Sequence, residues 1–229
     1  MILIKSPSGD LGANVASLQL YIQHMSLTVH LLTFNPFQEN TYIIRAPSGE
    51  CIIMDPGCFD QEERDELTQT IKDLGLKPVR LINTHCHIDH ILGNAFVAKT
   101  WDLGLEIHQG ELPVLDAGLM VSGMYGVPYD PSPKPASFLA EGDEVMLDGV
   151  SMKVLFTPGH SPASICLYNE SDGWVIGGDV LFYESIGRTD LPGGDHATLL
   201  KSIREELFVL PNETVVYPGH GPSTKIGYE

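Results

Sequence analysis

At 229 residues the chain is long enough to bury one good core and form one large domain. Hydrophobic residues make up 43% and charged residues 19%, which excludes a disordered chain, and no apolar run reaches the roughly 20 residues that span a bilayer. The 30 acidic against 13 basic residues, a net charge of −17, repel phosphate backbones and anionic lipid, so neither nucleic acid nor membrane is expected as a partner.

The first 25 residues, MILIKSPSGDLGANVASLQLYIQHM, place one lysine before a broken stretch containing Gln19, Gln23 and His24. They lack the compact apolar segment and small-residue cleavage site of a secretory signal, and a cytoplasmic protein is expected. A strand-like run starts just after Met25. Residues 1–24 are therefore read as an N-terminal extension and residues 25–229 as the domain. Cys51, Cys58, Cys86 and Cys166 form no C-x-x-C pair and no dense spacing, the pattern of reduced thiols rather than a disulfide framework.

TVHLLTF (28–34) and NTYIIRA (40–46) read as paired strands, followed by CIIMDPG (51–57), a strand that ends in an acidic turn. In residues 60–74 the apolar positions Leu67, Ile71 and Leu74 are spaced four and three apart, which predicts a surface helix. Its acids gather at the N-terminal end, where the helix dipole favours them, and Gly75 stops it. PVRLINT (78–84) is the next strand, then ILGNAFVAKTW (91–101) a helix, LEIHQG (105–110) a short strand, and a further helix begins near Glu111. Residues 122–138 hold four prolines and read as an irregular loop, either a lid facing substrate or a plain connector. Strands follow at 144–149, 151–157, 164–170 and 174–182. Residues 195–207 form a helix capped by Asp195, and TVVYPGHG (214–221) is the last strand. Strand runs on both sides of the middle, with helices between them, predict two packed sheets covered by outer helices.

One stretch stands apart. THCHIDH (84–90) crowds three of the nine histidines and an aspartate into seven positions. An isolated histidine is more often a surface or hydrogen-bonded core residue, but this density calls for a cause. In an extended segment side chains alternate, so His85 and His87 point the same way and can share an ion, with Cys86 facing away as packing. Asp89 and His90 follow where the chain must turn. Four donors this close cannot all reach one tetrahedral ion, so two neighbouring ions fit better. His160, Asp179 and His220 offer the missing ligands, each at the end of a strand-like run in a glycine- or proline-shaped turn: FTPGH, VIGGD, VYPGH. His24, His30, His108 and His196 have no such setting and read as structural or exposed.

T-H-x-H-x-D-H, followed in order by an isolated histidine, an aspartate and a final histidine, resembles the signature of the metallo-β-lactamase superfamily from about residue 28 to the C-terminus. That resemblance implies an α/β fold, a four-layer αβ/βα sandwich with a two-metal site at one edge of the sheets. It implies that His85, His87 and His160 hold one divalent ion and Asp89, His90 and His220 the other. Asp179 would bridge the two, and Asp89 and Asp179 would serve the chemistry as well as ligation. Zinc is the first expectation for imidazole and carboxylate ligands, and iron or manganese would accept them too.

THCHIDH and GGDVLFYESIGRTDLPGGD (177–195) look most like the glyoxalase II (hydroxyacylglutathione hydrolase) group, in particular its short single-domain bacterial relatives. The implied activity is hydrolysis of a small thioester or related ester by a metal-activated water. Arg188 stands where that group places a cation that binds the glutathione end of the substrate; a salt bridge to Asp190 is the equal alternative. Asp190 replaces an expected tyrosine, and only nine residues follow His220, so the likeness covers the hydrolytic centre and not the full set of glutathione contacts. GRTD and THCH also resemble the persulfide dioxygenases, which use one iron, and that oxidoreductase is the alternative reading. The commonest true β-lactamases carry cysteine where Asp179 stands, so antibiotic hydrolysis is not expected.

Overall fold

A computed structural model describes residues 26–229; the extension read over residues 1–24 lies outside the described residues. β1 (Thr28–Phe34) and β2 (Glu39–Arg45) pair antiparallel, and β3 (Glu50–Met54) continues the meander. Helix α1 (Gln61–Asp73) then crosses over so that β4 (Lys77–Ile82) lies parallel to β3, as a parallel pair requires. Asp60 caps α1 by accepting from the Glu63 N–H at 2.9 Å, and Gly75 leaves it with φ +62°. A single turn, α2 (Ile88–Ile91), and helix α3 (Asn94–Trp101) lead to β5 (Leu105–Ile107). Helix α4 (Leu112–Tyr125) leads in turn to β6 (Pro135–Phe138), completing a six-stranded sheet in sequence order.

The second sheet begins with the antiparallel meander β7 (Glu144–Leu147), β8 (Val150–Phe156), β9 (Ile165–Asn169) and β10 (Trp174–Gly178). A small hairpin of β11 (Leu181–Phe182) and β12 (Ser185–Ile186) precedes helix α5 (His196–Ser202). β13 (Val215–Pro218) returns parallel to β10, and β14 (Thr224–Lys225) closes the edge. Among the described residues no helix is long and apolar enough to cross a membrane.

The period of two in each strand separates two sides of each sheet. Ile44, Ile52, Met54 and Ile82 of the first sheet meet Val154, Ile165, Leu167 and Ile176 of the second in the central core. Their neighbours Ile43, Cys51, Ile53 and Leu81 face α1, α3 and α4 through Leu67, Ile71, Val97 and Leu115. On the far side Leu155, Cys166, Val175 and Val216 face α5 and the turn after it through Leu199, Ile203 and Leu207. The layers run helix, sheet, sheet, helix, which is the expected four-layer sandwich.

Several elements differ in detail from the sequence expectation. The helix read over 91–101 is broken at Gly93, where a Cβ would lie 2.7 Å from the Pro56 carbonyl oxygen and 2.6 Å from the Cys58 sulfur. The break lets the chain press onto the turn after β3. The segment 122–138 is not wholly irregular: α4 continues to Tyr125, Gly126 ends it at φ +69°, and its last residues form edge strand β6, where proline is tolerated. Between them Asp130 pairs with Arg64 and Tyr129 bonds Ser132, which ties the segment to the helical layer as a connector. The strand read over 174–182 ends at Gly178, whose φ of +49° turns the chain. The helix read over 195–207 keeps its Asp195 cap but widens into a π turn over Ile203–Leu207.

All four cysteines are free and buried. Burial pushes the thiols of Cys51, Cys58 and Cys166 up to about 12 and Cys86 well above its usual range. Ellman's reagent at neutral pH is expected to find no reactive thiol in the native protein and four per chain after denaturation; a fast-reacting native thiol would contradict this packing.

Candidate metal centre

The seven residues singled out by sequence converge at one edge of the two sheets. β4 delivers Thr84–His87, the turn of α2 carries Asp89 and His90, and the β8–β9 loop carries His160. Asp179 follows β10 and His220 follows β13. In the groups His85–His87–His160 and Asp89–His90–His220 the ligand atoms lie within 4.8 Å of one another. Asp179 stands between them, with Oδ1 3.4 Å from His90 Nε2 and Oδ2 3.4 Å from His160 Nε2 and 3.5 Å from His220 Nε2. Asp89 Oδ2 lies 3.1 Å from His220 Nε2.

Hydrogen bonds behind the rings decide which nitrogen faces inward. The Thr84 hydroxyl donates to Asp55 at 2.6 Å, so His85 Nδ1–H is the donor in its 3.0 Å contact with Thr84. His160 Nδ1–H donates to the Arg188 carbonyl at 2.7 Å, and His220 Nδ1–H to the carbonyls of Phe37 and Gln38 at 3.1 Å. His90 Nδ1–H faces Asp55 at 3.3 Å. All four present Nε2 to the centre. His87 instead presents Nδ1, 2.8 Å from His160 Nε2.

The centre fits a pair of cations. His85 Nε2 is buried without a hydrogen-bond partner, at a cost of about 1–3 kcal/mol in an ordinary core, while His90 Nε2 and Asp179 Oδ1 are buried with only their mutual ionic contact of 3.4 Å. Burial and neighbouring imidazoles hold His85 well below its usual range, and burial brings His87 down to about 4 and lowers His160, so the first group offers neutral nitrogens. In the second group burial works against charge on His90 and His220, but Asp89 and Asp179 outweigh it and hold both above the usual range. Burial likewise disfavours the Asp179 carboxylate, and His90, His160 and His220 overcome it and hold the carboxyl well below its usual range. Neutral imidazoles beside histidines that hold protons against carboxylates are a donor set that a cation would complete by displacing those protons.

Three buried acids escaped the sequence reading. Asp55, read only as an acidic turn, adopts φ +48° and accepts from Thr84 N–H, Thr84 hydroxyl and Asn83 amide, besides facing His90. It converges with His85 and His90, but its oxygens are taken by these donors, so it anchors ligands rather than joining them. Glu39 lies 3.8 Å from His90 Nδ1 and accepts from Thr41, while its neighbour Asn40 bonds Pro218 and Gly221 carbonyls around His220. Glu111 accepts from the backbone of Cys86 and Ala163 and from Ser161. Their only sequence signal is a lone acid in or beside a strand-like run, too common to select.

Other candidates stay outside the centre. His30 is half-buried on β1, His108 stacks on Phe156 at 4.8 Å, and His196 is exposed. Cys86 packs in the helix-facing core, as expected of a side chain opposite the ligands. Arg188 is exposed and forms a bidentate pair with Asp190, both contacts 2.7 Å, while its carbonyl holds His160. The half-buried Phe182 ring meets His220 edge-on at 6.3 Å, whereas Phe37 reaches His220 only through its carbonyl and turns its ring to Tyr125.

Gly219 leaves no room for a side chain. A Cβ there would lie 2.1 Å from Asp179 Oδ1 and 2.7 Å from His90 Cε1. Gly219→Ala is expected to cut metal content per chain at least several-fold while the far-UV circular dichroism stays native. Full metal content in that variant would show that Asp179 and His90 do not form the centre.

Comparison with known proteins identifies the family. The chain is 44% identical over 194 residues to "Probable metallo-hydrolase YqgX" of Bacillus subtilis, covering 83% of this chain and 89% of that one. It is 33% identical to "Hydroxyacylglutathione hydrolase GloC" of Haemophilus influenzae, covering 89% and 95%. Among solved structures, BLEG-1 B3 metallo-beta-lactamase superposes with a TM-score of 0.81 at 34% identity, covering 88% of this chain and 96% of that one. TTHA1623 in a di-iron-bound form gives 0.79 at 36% identity, with the same coverage of 88% and 96%. The profile of the metallo-beta-lactamase superfamily matches residues 34–220, which reaches from the end of β1 to the last histidine of the centre, and the chain belongs to that superfamily.

Proposed function

We propose that the chain is a binuclear metal-dependent hydrolase that cleaves a small thioester of the hydroxyacylglutathione kind, or a related ester. The observation that carries this reading is the pair of three-residue ligand groups placed side by side with Asp179 between them. Two zinc ions, with iron or manganese as the other candidates, would activate a water near neutral pH and polarise the carbonyl under attack. Seven protein ligands shared by two ions leave room for solvent and substrate.

The chain's own residues would divide the remaining work. His85, His87 and His160 supply neutral nitrogens, and the hydrogen bonds behind His85 and His160 keep those rings aimed. Asp89, whose Oδ2 lies 3.1 Å from His220 Nε2, would take the proton of the attacking water. The thiol that leaves is a good leaving group as a thiolate and needs no strong acid behind it. Phe182, edge-on to His220, would offer an apolar surface to the acyl part of the substrate. Arg188 would exchange Asp190 for a carboxylate on the thiol carrier, because an exposed ion pair gains little from staying closed. The name of the GloC relative supports the thioester, and four buried free thiols support a reducing compartment, the cytoplasm.

His87→Ala is expected to lose metal and at least about 100-fold in thioesterase activity together. Full activity in a metal-depleted His87→Ala protein would remove the mechanism. Elemental analysis, with a panel of thioesters, glutathione persulfide and a β-lactam, separates this reading from the others: two ions and thioester cleavage support it, whereas one iron with persulfide oxidation favours the dioxygenase. Arg188→Ala is expected to raise KM for S-lactoylglutathione more than for a neutral thioester, and equal effects on both would make Arg188 structural.

A further inference from the structure

We propose that Glu111 is a positioning residue for the site formed by His85, His87 and His160, acting as a carboxylate clamp that joins the two loops carrying these ligands. The inference rests on the binuclear reading above. His85 and His87 leave the end of β4 in the first sheet, whereas His160 sits in the β8–β9 loop of the second. Neither loop is held by a strand ladder where it carries its ligands, yet both are buried, and their backbone N–H groups need acceptors.

Glu111 supplies them. Its side chain is fully buried. Oε2 accepts the Cys86 N–H at 2.8 Å, between His85 and His87. Oε1 accepts the Ala163 N–H at 2.8 Å, and the Ser161 hydroxyl, one residue after His160, donates to the carboxylate at 2.7 Å. All of these partners lie in the two loops of one ligand group. Glu111 makes no contact with the other group: His90 faces Asp55, which also holds Thr84 behind His85, and His220 is held by the carbonyls of Phe37 and Gln38.

The approach of Glu111 is itself built in. The turn Gln109–Glu111 is capped by His108, whose Nδ1 accepts from Gly110 N–H at 3.0 Å and whose ring stacks on Phe156. A Cβ on Gly110 would lie 2.5 Å from the Ala163 Cβ, so only glycine lets this turn close on the His160 loop. His108, Gly110 and Glu111 thus serve one purpose. They fix the separation of two loops across which His87 Nδ1 and His160 Nε2 stand 2.8 Å apart.

A carboxylate that only satisfied buried donors would support the whole fold and both metal sites alike. A clamp on one ligand group predicts selectivity. The test is competitive titration of metal-free full-length protein with zinc against a chromophoric chelator, which resolves the two binding steps. His160→Ala and Asp89→Ala identify which step belongs to which group. Glu111→Gln, which sets an amide N–H against these donors, is expected to weaken the step lost in His160→Ala about 10- to 100-fold and to leave the other unchanged. Ser161→Ala, a milder change, is expected to weaken the same step by less, and it decides the matter if Glu111→Gln does not fold. Equal weakening of both steps, or no change in either, would overturn the role of Glu111. A wild-type protein that binds only one zinc per chain would overturn the binuclear reading and the selectivity with it, so the two failures are distinguishable.

Discussion

Buried nitrogen and oxygen atoms without partners are the constraint around which this molecule is organised. His85 Nε2 is buried and turned inward with no partner, and His90 Nε2 and Asp179 Oδ1 are buried with only their mutual ionic contact of 3.4 Å. The bonds from behind on His85, His90, His160 and His220 all occupy Nδ1 and leave Nε2 facing inward. A fold that invests this much in aiming lone pairs at a common point is arranged around cationic charge. The acid excess of the chain is consistent with that, although most of it serves solubility.

Aiming side chains this closely needs a rigid frame, and the sandwich provides one. Strand ends are the stiffest places from which a short loop can project a side chain, because the ladder holds their backbone up to the last bonded residue. Each ligand segment leaves such an end after at most a few residues. Sharp exits are made by residues with unusual backbone: Asp55 and Gly178 both have positive φ, and Gly178 and Gly219 lie so close to Thr84 and Asp179 that a Cβ would collide. The two sheets interlock here as well. Ile165 N–H of the second donates to the Thr84 carbonyl of the first, and Asn40 N–H of the first to Gly219 of the second.

The ring of buried acids behind the ligands completes the frame. Asp55 braces Thr84 and His90, Glu39 lies beside His90, and Glu111 joins the loops of His85, His87 and His160. Such acids are costly to bury, and burial raises the carboxyls of Glu39 and Glu111. Asp55 and Glu111 are held by donors alone, and removing either would leave several buried N–H groups without acceptors. Mutational sensitivity at the centre should therefore extend one layer beyond the groups that touch metal or substrate.

The sequence by itself determined the layer architecture and the seven inward-facing side chains, because both rest on local regularities. Alternation such as Ile43/Ile44 and Ile52/Ile53 assigns faces within a strand, and the spacing of His85, His87, Asp89 and His90 follows from the chemistry of the ions they suit. The caps at Asp60 and Asp195 were legible for the same reason. Tertiary structure alone decided where the long helices break, that Pro135–Phe138 pairs as an edge strand, and that Arg188 closes on Asp190. It alone singled out Asp55, Glu39 and Glu111. A lone acid in a sequence carries no mark of burial; its role depends on donors dozens of positions away, such as Ser161 for Glu111, that only folding brings within hydrogen-bond reach.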